Sequence, residues 1–269
     1  MSRYKFSLIR LAFKFILFAF LIAAANGSFR GVLAGDLSSS LLFSTVPLSD
    51  PFAVLSLAFA GANLGASAVL GAVIVAAFYA IIAPRAFCAW VCPVGLITEL
   101  TAKIRRKLKL NESGILNIKR TSRYYILASV LLLSAIFSVP VFESVSFIGV
   151  VQRGLIFGGF AWLGVAFLIV VFELFILPNG TCGHICPLGA FYSILSTASI
   201  FRIKHHEHFC TYCSECERVC PEKQVLSIIG EKSGFVKSSE CISCGLCIDA
   251  CEENALEFSI KNLRRKNEN

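Results

Sequence analysis

Eight cysteines near the C-terminus constrain this chain more than any other feature. They form two runs of one spacing, Cys210-x2-Cys213-x2-Cys216-x3-Cys220 and Cys241-x2-Cys244-x2-Cys247-x3-Cys251. The remaining four cysteines are also paired closely, as Cys88/Cys92 and Cys182/Cys186. A disulfide scaffold distributes its cysteines through a small secreted domain. Tight C-x2-C spacing in a charged segment points instead to thiolate ligation of metal.

Four-cysteine runs of this spacing hold a pair of [4Fe–4S] cubanes. The three close cysteines of a run wrap one cube, and the fourth reaches the other. Cluster one is therefore assigned to Cys210, Cys213, Cys216 and Cys251, and cluster two to Cys241, Cys244, Cys247 and Cys220. The competing reading is zinc on paired C-x2-C motifs, which two complete runs make the poorer fit. Gly245, between Cys244 and Cys247, permits close backbone approach to the cluster. Pro221 follows the first run, whereas Glu252 stands at the matching place in the second, so the local turn should differ. A small α+β ferredoxin is expected from Glu207 to Phe258, with a core too small to stand without its clusters. The preceding stretch Arg202–His208 reads as a charged linker; its histidines are better explained by solvation than by metal binding.

The rest of the chain is apolar. Of 269 residues, 56% are hydrophobic and 16% charged, with a mean hydropathy of +0.74. Soluble domains are nearer about 45–50% and about 25%. Four stretches approach the roughly 20 apolar residues that cross a bilayer as helix: Lys14–Leu33, Ala66–Ala83, Tyr124–Phe142 and Leu155–Leu177. The first has an alternative as a signal peptide, with Arg3, Lys5, Arg10 and Lys14 ahead of it and Ala23–Ala25 as a cleavage site. Arg85, Lys103, Arg105, Arg106, Lys107, Lys109, Lys119, Arg120 and Arg123 fall between spans two and three, whereas the other loops hold Arg30 and Arg153. Such asymmetry sets the N-terminus, middle loop and tail in the cytoplasm. The net charge of +8 belongs to this pattern, and nucleic-acid binding is a poor reading of it. Ile97, Leu100, Ile104 and Leu108 lie on one helical face among cations, as in a basic helix on the inner leaflet.

Spans two and four each run into C-x3-C-P-x-G, as Cys88-Ala-Trp-Val-Cys92-Pro93-Val-Gly95 and Cys182-Gly-His-Ile-Cys186-Pro187-Leu-Gly189. Both cysteine pairs are offset by the same 94 residues. The chain is thus a parallel repeat of two spans and a motif. Pro suits the first position of a new helix, which leaves the thiols at a span end. Cys88, Cys92, Cys182 and Cys186 are candidates for one shared metal or iron–sulfur centre. A redox-active thiol pair and plain buried cysteines are the alternatives. Glu173, inside the fourth span, and His184, inside the second motif, are candidate proton acceptors. Their plainer readings are a wet interfacial carboxylate and a turn-stabilising imidazole.

The fold class expected is therefore a mostly α membrane protein: four transmembrane helices in a two-unit repeat (residues 1–201), plus a cytoplasmic α+β two-cluster ferredoxin domain with a basic tail (residues 202–269). Lys261, Arg264, Arg265 and Lys266 supply the tail's charge.

These motifs, with the outer segment Ser38–Phe43 and Thr45-Val-Pro47-Leu-Ser-Asp50-Pro51, resemble the NapH family of membrane polyferredoxins over nearly the whole chain. The resemblance implies an electron-transfer subunit of a quinol dehydrogenase, not a stand-alone enzyme, in a bacterial inner membrane. It implies a periplasmic iron–sulfur partner, NapG, and electrons taken from menaquinol or ubiquinol, directly or through a tetrahaem cytochrome, toward periplasmic nitrate reductase. Cytoplasmic clusters and a periplasmic acceptor then require a centre between them, which favours the C-x3-C-P cysteines. A polyferredoxin for oxidase or metal-centre maturation shares those motifs but usually carries a further C-terminal domain. A membrane iron–sulfur sensor usually carries a large periplasmic or flavin domain.

Overall fold

The computed structural model describes residues 4–26, 33–35, 39–42, 46–110, 114–116 and 118–260. Arg30, Ser38, Phe43, Thr45 and the tail cations Lys261, Arg264, Arg265 and Lys266 lie outside the described residues.

The apolar runs become helices. The order begins with α1 (Lys5–Ala25), the strands β1 (Leu33–Gly35), β2 (Ser39–Leu42) and β3 (Val46–Ser49), then α2 (Pro51–Phe59), α3 (Ala66–Ile82), α4 (Ala86–Trp90) and α5 (Pro93–Lys107). It continues with α6 (Ser122–Phe137), α7 (Val141–Val145), α8 (Phe147–Phe157) and α9 (Ala161–Val171). A π-helical turn, Phe172–Ile176, extends α9; a second, Thr181–Ile185, precedes α10 (Pro187–Leu195). The last elements are β4 (Phe201–His205), α11 (Glu215–Val219), β5 (Gly234–Phe235), α12 (Leu246–Ala250) and β6 (Leu256–Ile260). Two compact units result. One comprises residues up to Ala12, Tyr79–Trp90 and Tyr192 onward; the other comprises Phe13–Phe78 and Val91–Phe191.

In the second unit, local chemistry fixes where helices start. Asp50 accepts the Phe52 N–H (3.1 Å) ahead of Pro51, and Ser146 accepts that of Gly149 (3.1 Å), each satisfying an orphan donor. Pro93 opens α5 from Cys92, as the motif reading expects. The span edges differ from expectation in three places. The first helix spans Lys5–Ala25 instead of Lys14–Leu33. The third ends at Phe137, where Ser138 turns left-handed (φ 53°) before Pro140. The fourth is broken: Gly158 and Gly159 take φ of 82° and 117°, α8 ends there, and a new helix starts at Ala161. Glycine tolerates those angles, which a side chain would oppose. Among the described residues, Lys5–Ala25 is the one helix that is both long and apolar enough to cross a membrane.

Burial in these helices is inverted relative to a soluble protein. Leu70, Val73 and Phe78 of α3, Tyr125, Ile136 and Phe137 of α6, and Phe167 and Leu168 of α9 are all exposed. Arg105, Arg123, Gln152, Glu173 and His184 are buried. The α5 surface follows suit: Val94, Thr98, Thr101 and Arg105 face inward, and the stripe Leu100, Ile104 and Leu108 faces outward. Contiguous exposed apolar surface of this kind requires an apolar environment or a partner.

The other unit is organised round an antiparallel sheet of order β5-β4-β6. Strand β4 is central, pairing Ile203 with Phe258 and Lys204 with Phe235. This corrects the linker expectation. Arg202, Ile203 and His205 are buried, because Arg202 spends its guanidinium on carbonyls of Ser199, Val236 and Thr197 while His205 meets the Lys232 carbonyl through Nδ1 (2.9 Å). The Arg202 carbonyl bonds and the one through His205 Nδ1 let these side chains tolerate a core position, while His205 Nε2 meets no partner among the described residues. Ile203, Val225, Leu226, Val236 and Leu256 form the core together with Cys216 and Cys247. Two candidate ligands are thus part of the hydrophobic core itself, which ties the fold to whatever those thiolates hold.

Candidate iron–sulfur centres and motif turns

The two tail loops share one backbone course. Tyr212 and Ser214 flank Cys213 with φ of 55° and 58°; Ser243 and Gly245 flank Cys244 with φ of 51° and 75°. Left-handed residues on both sides of the central cysteine bend the chain into a cup. Three of the four are not glycine, so the surrounding structure imposes the conformation. At Gly245 a side chain is impossible for a second reason: a Cβ would stand 2.7 Å from the Cβ of Phe6. What comes close to Gly245 on that side is Phe6 of α1.

A small hollow lies inside the second cup, lined by Cys220, Cys241, Cys244 and Cys247 with Ile203, Glu222, Val225 and Leu226. These are the four cysteines assigned to cluster two. Cys216 has Cys213 and Cys251 as electrostatic neighbours, three of the four assigned to cluster one. The Ala255 N–H donates to Cys251 Sγ (3.3 Å), a contact of the kind that tunes cluster thiolates. Among the described residues, no three His, Cys, Asp or Glu side chains converge as a single metal ion requires. A cubane binds each cysteine at its own iron corner, so its ligands stand round a cage. Burial pushes the thiols of Cys216 and Cys241 up to about 11 and that of Cys247 well above its usual range. Iron binding must displace those protons.

The second cysteine loop, Cys241–Cys251, is clasped from two sides within its unit. The Phe6 and Ser7 N–H groups at the start of α1 donate to Asp249 Oδ1 and Oδ2 (3.1 and 2.8 Å), and Arg10 Nη1 donates to the Cys244 carbonyl (3.2 Å). Phe6 packs edge-on against Phe258. On the other side, Trp90 Nε1 donates to the Ser243 carbonyl (3.1 Å), and Ser243 Oγ donates to the Pro84 carbonyl (3.0 Å). Arg85 Nη1 reaches Glu222 Oε1 (2.8 Å) and the Glu240 carbonyl (3.0 Å). Residues Pro84–Trp90 carry the first half of the C-x3-C-P motif, including Cys88.

The two motifs show their repeat in the backbone. Arg85 and Asn179, each three residues before the first cysteine of its motif, are both left-handed, with φ of 44° and 51°. Each is followed by one short helical turn and then a Pro-initiated helix. The second copy is wound as a π turn, which holds Cys182 and His184; Glu173 sits in the π turn before it. Such turns are rare and recur at functional positions. They also leave carbonyls in need of donors. Arg105 donates to the carbonyls of Glu173 (3.1 Å) and Leu174, Arg123 to that of Gly183 (3.5 Å), and Ser122 Oγ to that of His184 (2.8 Å). Glu173 is buried, and the donors facing its carboxylate are the Thr181 hydroxyl and backbone N–H. His184 Nδ1 meets the Asn179 carbonyl (3.5 Å). Burial, then the Arg120 charge, and to a lesser degree Arg123, hold the His184 imidazole below its usual range, against the Asn179 contact, so it stands neutral.

Cys92 and Cys186 are buried and Cys182 is partly exposed in one unit; Cys88, also partly exposed, belongs to the other. The Gly189 N–H donates to Cys186 Sγ (3.4 Å).

The 4Fe-4S dicluster domain family matches residues 202–252, and the 4Fe-4S binding domain family matches residues 64–111 and again 158–204, once for each motif copy. The ferredoxin-type protein NapH of Haemophilus influenzae is 39% identical over 88% of this chain and 84% of its own length. The Escherichia coli NapH is 36% identical over 86% and 81%. The chain belongs to the NapH family. Like other members it is a ferredoxin-type 4Fe–4S electron-transfer protein. Similarity extends beyond NapH itself: the methylamine utilization ferredoxin-type protein MauN of Methylorubrum extorquens is 35% identical over 87% of this chain and 83% of its own. No solved structure matches the chain.

Sequence reasoning missed Arg85, Arg105 and Arg123 as structural residues, having counted them only as loop cations. Their burial has no local signature. It follows from left-handed and π-helical turns that are themselves invisible in composition.

Proposed function

We propose that this chain is the membrane iron–sulfur subunit of a quinol dehydrogenase, passing electrons from the quinol pool toward periplasmic nitrate reductase with a periplasmic iron–sulfur partner of the NapG kind. Cys210, Cys213, Cys216 and Cys251 hold one [4Fe–4S] cluster, and Cys220, Cys241, Cys244 and Cys247 hold a second. The chain crosses the inner membrane four times with both termini in the cytoplasm. Exposed Leu70, Phe78, Ile136 and Phe167 set against buried Arg105, Arg123 and Glu173 support a lipid surround. The bonds from Phe6, Ser7 and Arg10 to the tail support a common side for the N-terminus and the clusters.

The observation that carries this reading is the bond network from Arg85 and Trp90 to the loop of cluster two. It fastens the segment bearing Cys88 to a cluster cup, which is what an electron path between tail and membrane needs. Cys88, Cys92, Cys182 and Cys186 supply the further redox or metal centre on that path. Glu173 and His184 accept the protons that quinol oxidation releases: one is a buried carboxylate, the other a neutral imidazole.

The test is quinol oxidation by purified protein, with and without the periplasmic iron–sulfur partner, followed by electron paramagnetic resonance. Quinol-dependent reduction of the clusters, relayed onward when the partner is present, is expected. Clusters that quinol never reduces would sink the dehydrogenase reading and favour a maturation role.

A further inference from the structure

The surroundings of the two cluster cups differ in charge and burial. At the cup of cluster two stand three arginines, each at most 3% exposed, from three separate stretches of chain. Arg10 donates to the Cys244 carbonyl. Arg85 donates to the carbonyl of Glu240, the residue before Cys241. Arg202 is held on the β4 side by the Ser199, Val236 and Thr197 carbonyls, and both Arg85 and Arg202 act electrostatically on Cys241. The anions facing the same loop are Glu222, paired with Arg85, and Asp249, which accepts the Phe6 and Ser7 N–H groups. Glu240, which shares Gln224 Nε2 with Glu222 (2.9 and 2.8 Å), is a third. Among the described residues, three buried cations therefore face one buried carboxylate, Glu222, and two partly exposed ones.

The cup of cluster one is different. Cys213 is exposed, and Cys210 and Cys251 are partly exposed. The charged groups acting on Cys216 are Glu217 and the thiols of Cys251 and Cys213. Arg218 is taken up by Glu215 at the surface (2.7 Å), with side chains 60% and 43% exposed.

Adding an electron to a buried cluster adds negative charge in a medium that solvates it poorly. Cations fixed within the same low-dielectric region offset that cost, and net charge near a cluster is one determinant of its potential. Arginine suits the task because it does not give up its proton.

We infer that Arg10, Arg85 and Arg202 are positioning residues that raise the reduction potential of the cluster held by Cys220, Cys241, Cys244 and Cys247, selectively over the other cluster. The inference rests on the two-cluster reading above. The step concerned is uptake of one electron by that cluster, from quinol in function or from a chemical reductant in titration.

The experiment is an anaerobic redox titration of the full chain in detergent, read by electron paramagnetic resonance, with iron counted in each sample. Wild type should show one one-electron step for each of the two tail clusters, beside any step of a centre at the C-x3-C-P cysteines. Arg85→Gln and Arg10→Gln should each lower the same step and leave the other in place, and together they should lower it further. Arg85→Lys should keep it near the wild-type value, and Arg218→Gln should move it not at all. Cys220→Ser identifies that step by altering it alone. Where Arg85→Gln loses iron, Arg10→Gln carries the test. Fully loaded variants whose two steps shift together, or not at all, overturn the inference. A wild-type protein with fewer than two clusters overturns the underlying reading instead.

Discussion

Arg85 and Glu222 form a buried ion pair, Nη1 to Oε1 at 2.8 Å, with side chains 1% and 4% exposed. The pair joins the segment leading into the first C-x3-C-P motif to the wall of a four-cysteine cavity. Glu222 also accepts from Gln224 Nε2 (2.8 Å), so its second oxygen is satisfied. A buried charge left alone is costly, and truncating one partner of such a pair destabilises by about 3–5 kcal/mol.

Arg85→Ala or Glu222→Ala alone should therefore make the clusters bleach at markedly lower denaturant concentration. The double replacement Arg85→Met/Glu222→Leu should recover much of the loss, since neither charge is then orphaned. Loss of visible absorbance against denaturant checks this. Additive effects of the two truncations would mean the pair is not coupled.

Glu173→Gln keeps shape and removes the proton-accepting carboxylate. General-base assistance contributes roughly 10²–10⁴-fold, so quinol-linked reduction should fall by at least about 10²-fold while cluster content stays at wild type. His184 adds a pH signature. Its affinity for protons is lowered chiefly by burial and then by Arg120, so it stays neutral to more acidic pH than the ordinary 6.5. The acid limb of the rate profile should lie below that value, and Arg120→Gln should move the limb upward. Measuring the rate against pH in both proteins decides the matter; a limb indifferent to Arg120 would clear His184 of the role.

Asp50 gives an opposite pH dependence, in stability. Burial, opposed by the Phe52 N–H and reinforced by Glu143, pushes its carboxyl up to about 7 from 3.8. Between those values the folded chain holds a proton that the unfolded chain has lost. Stability should therefore fall as pH rises from about 4 to about 7. Asp50→Asn should flatten that part of a thermal-stability profile.

Legibility differed by feature. The 4Fe–4S domain, both C-x3-C-P motifs and the bounds of α3, expected as Ala66–Ala83 and found as Ala66–Ile82, were readable because spacing and hydropathy are local signals. Strand β4 was hidden, because Arg202 and His205 look like linker residues until the carbonyls that satisfy them are known. The helix break at Gly158 was hidden for a related reason: apolar residues continue on both sides of it, so hydropathy alone runs the span straight through. The contacts of α1 with the tail join residues more than two hundred positions apart, and no pattern in either segment announces them.

The account depends most on two cubanes held by the tail. Iron and acid-labile sulfide per chain, measured with the paramagnetic resonance spectrum on anaerobically purified protein, test it most directly. Wild type should hold at least two [4Fe–4S] clusters, and Cys220→Ser should disturb the cluster whose other ligands are Cys241, Cys244 and Cys247 while sparing its neighbour. A colourless, iron-free or zinc-loaded protein that still transferred electrons would contradict it.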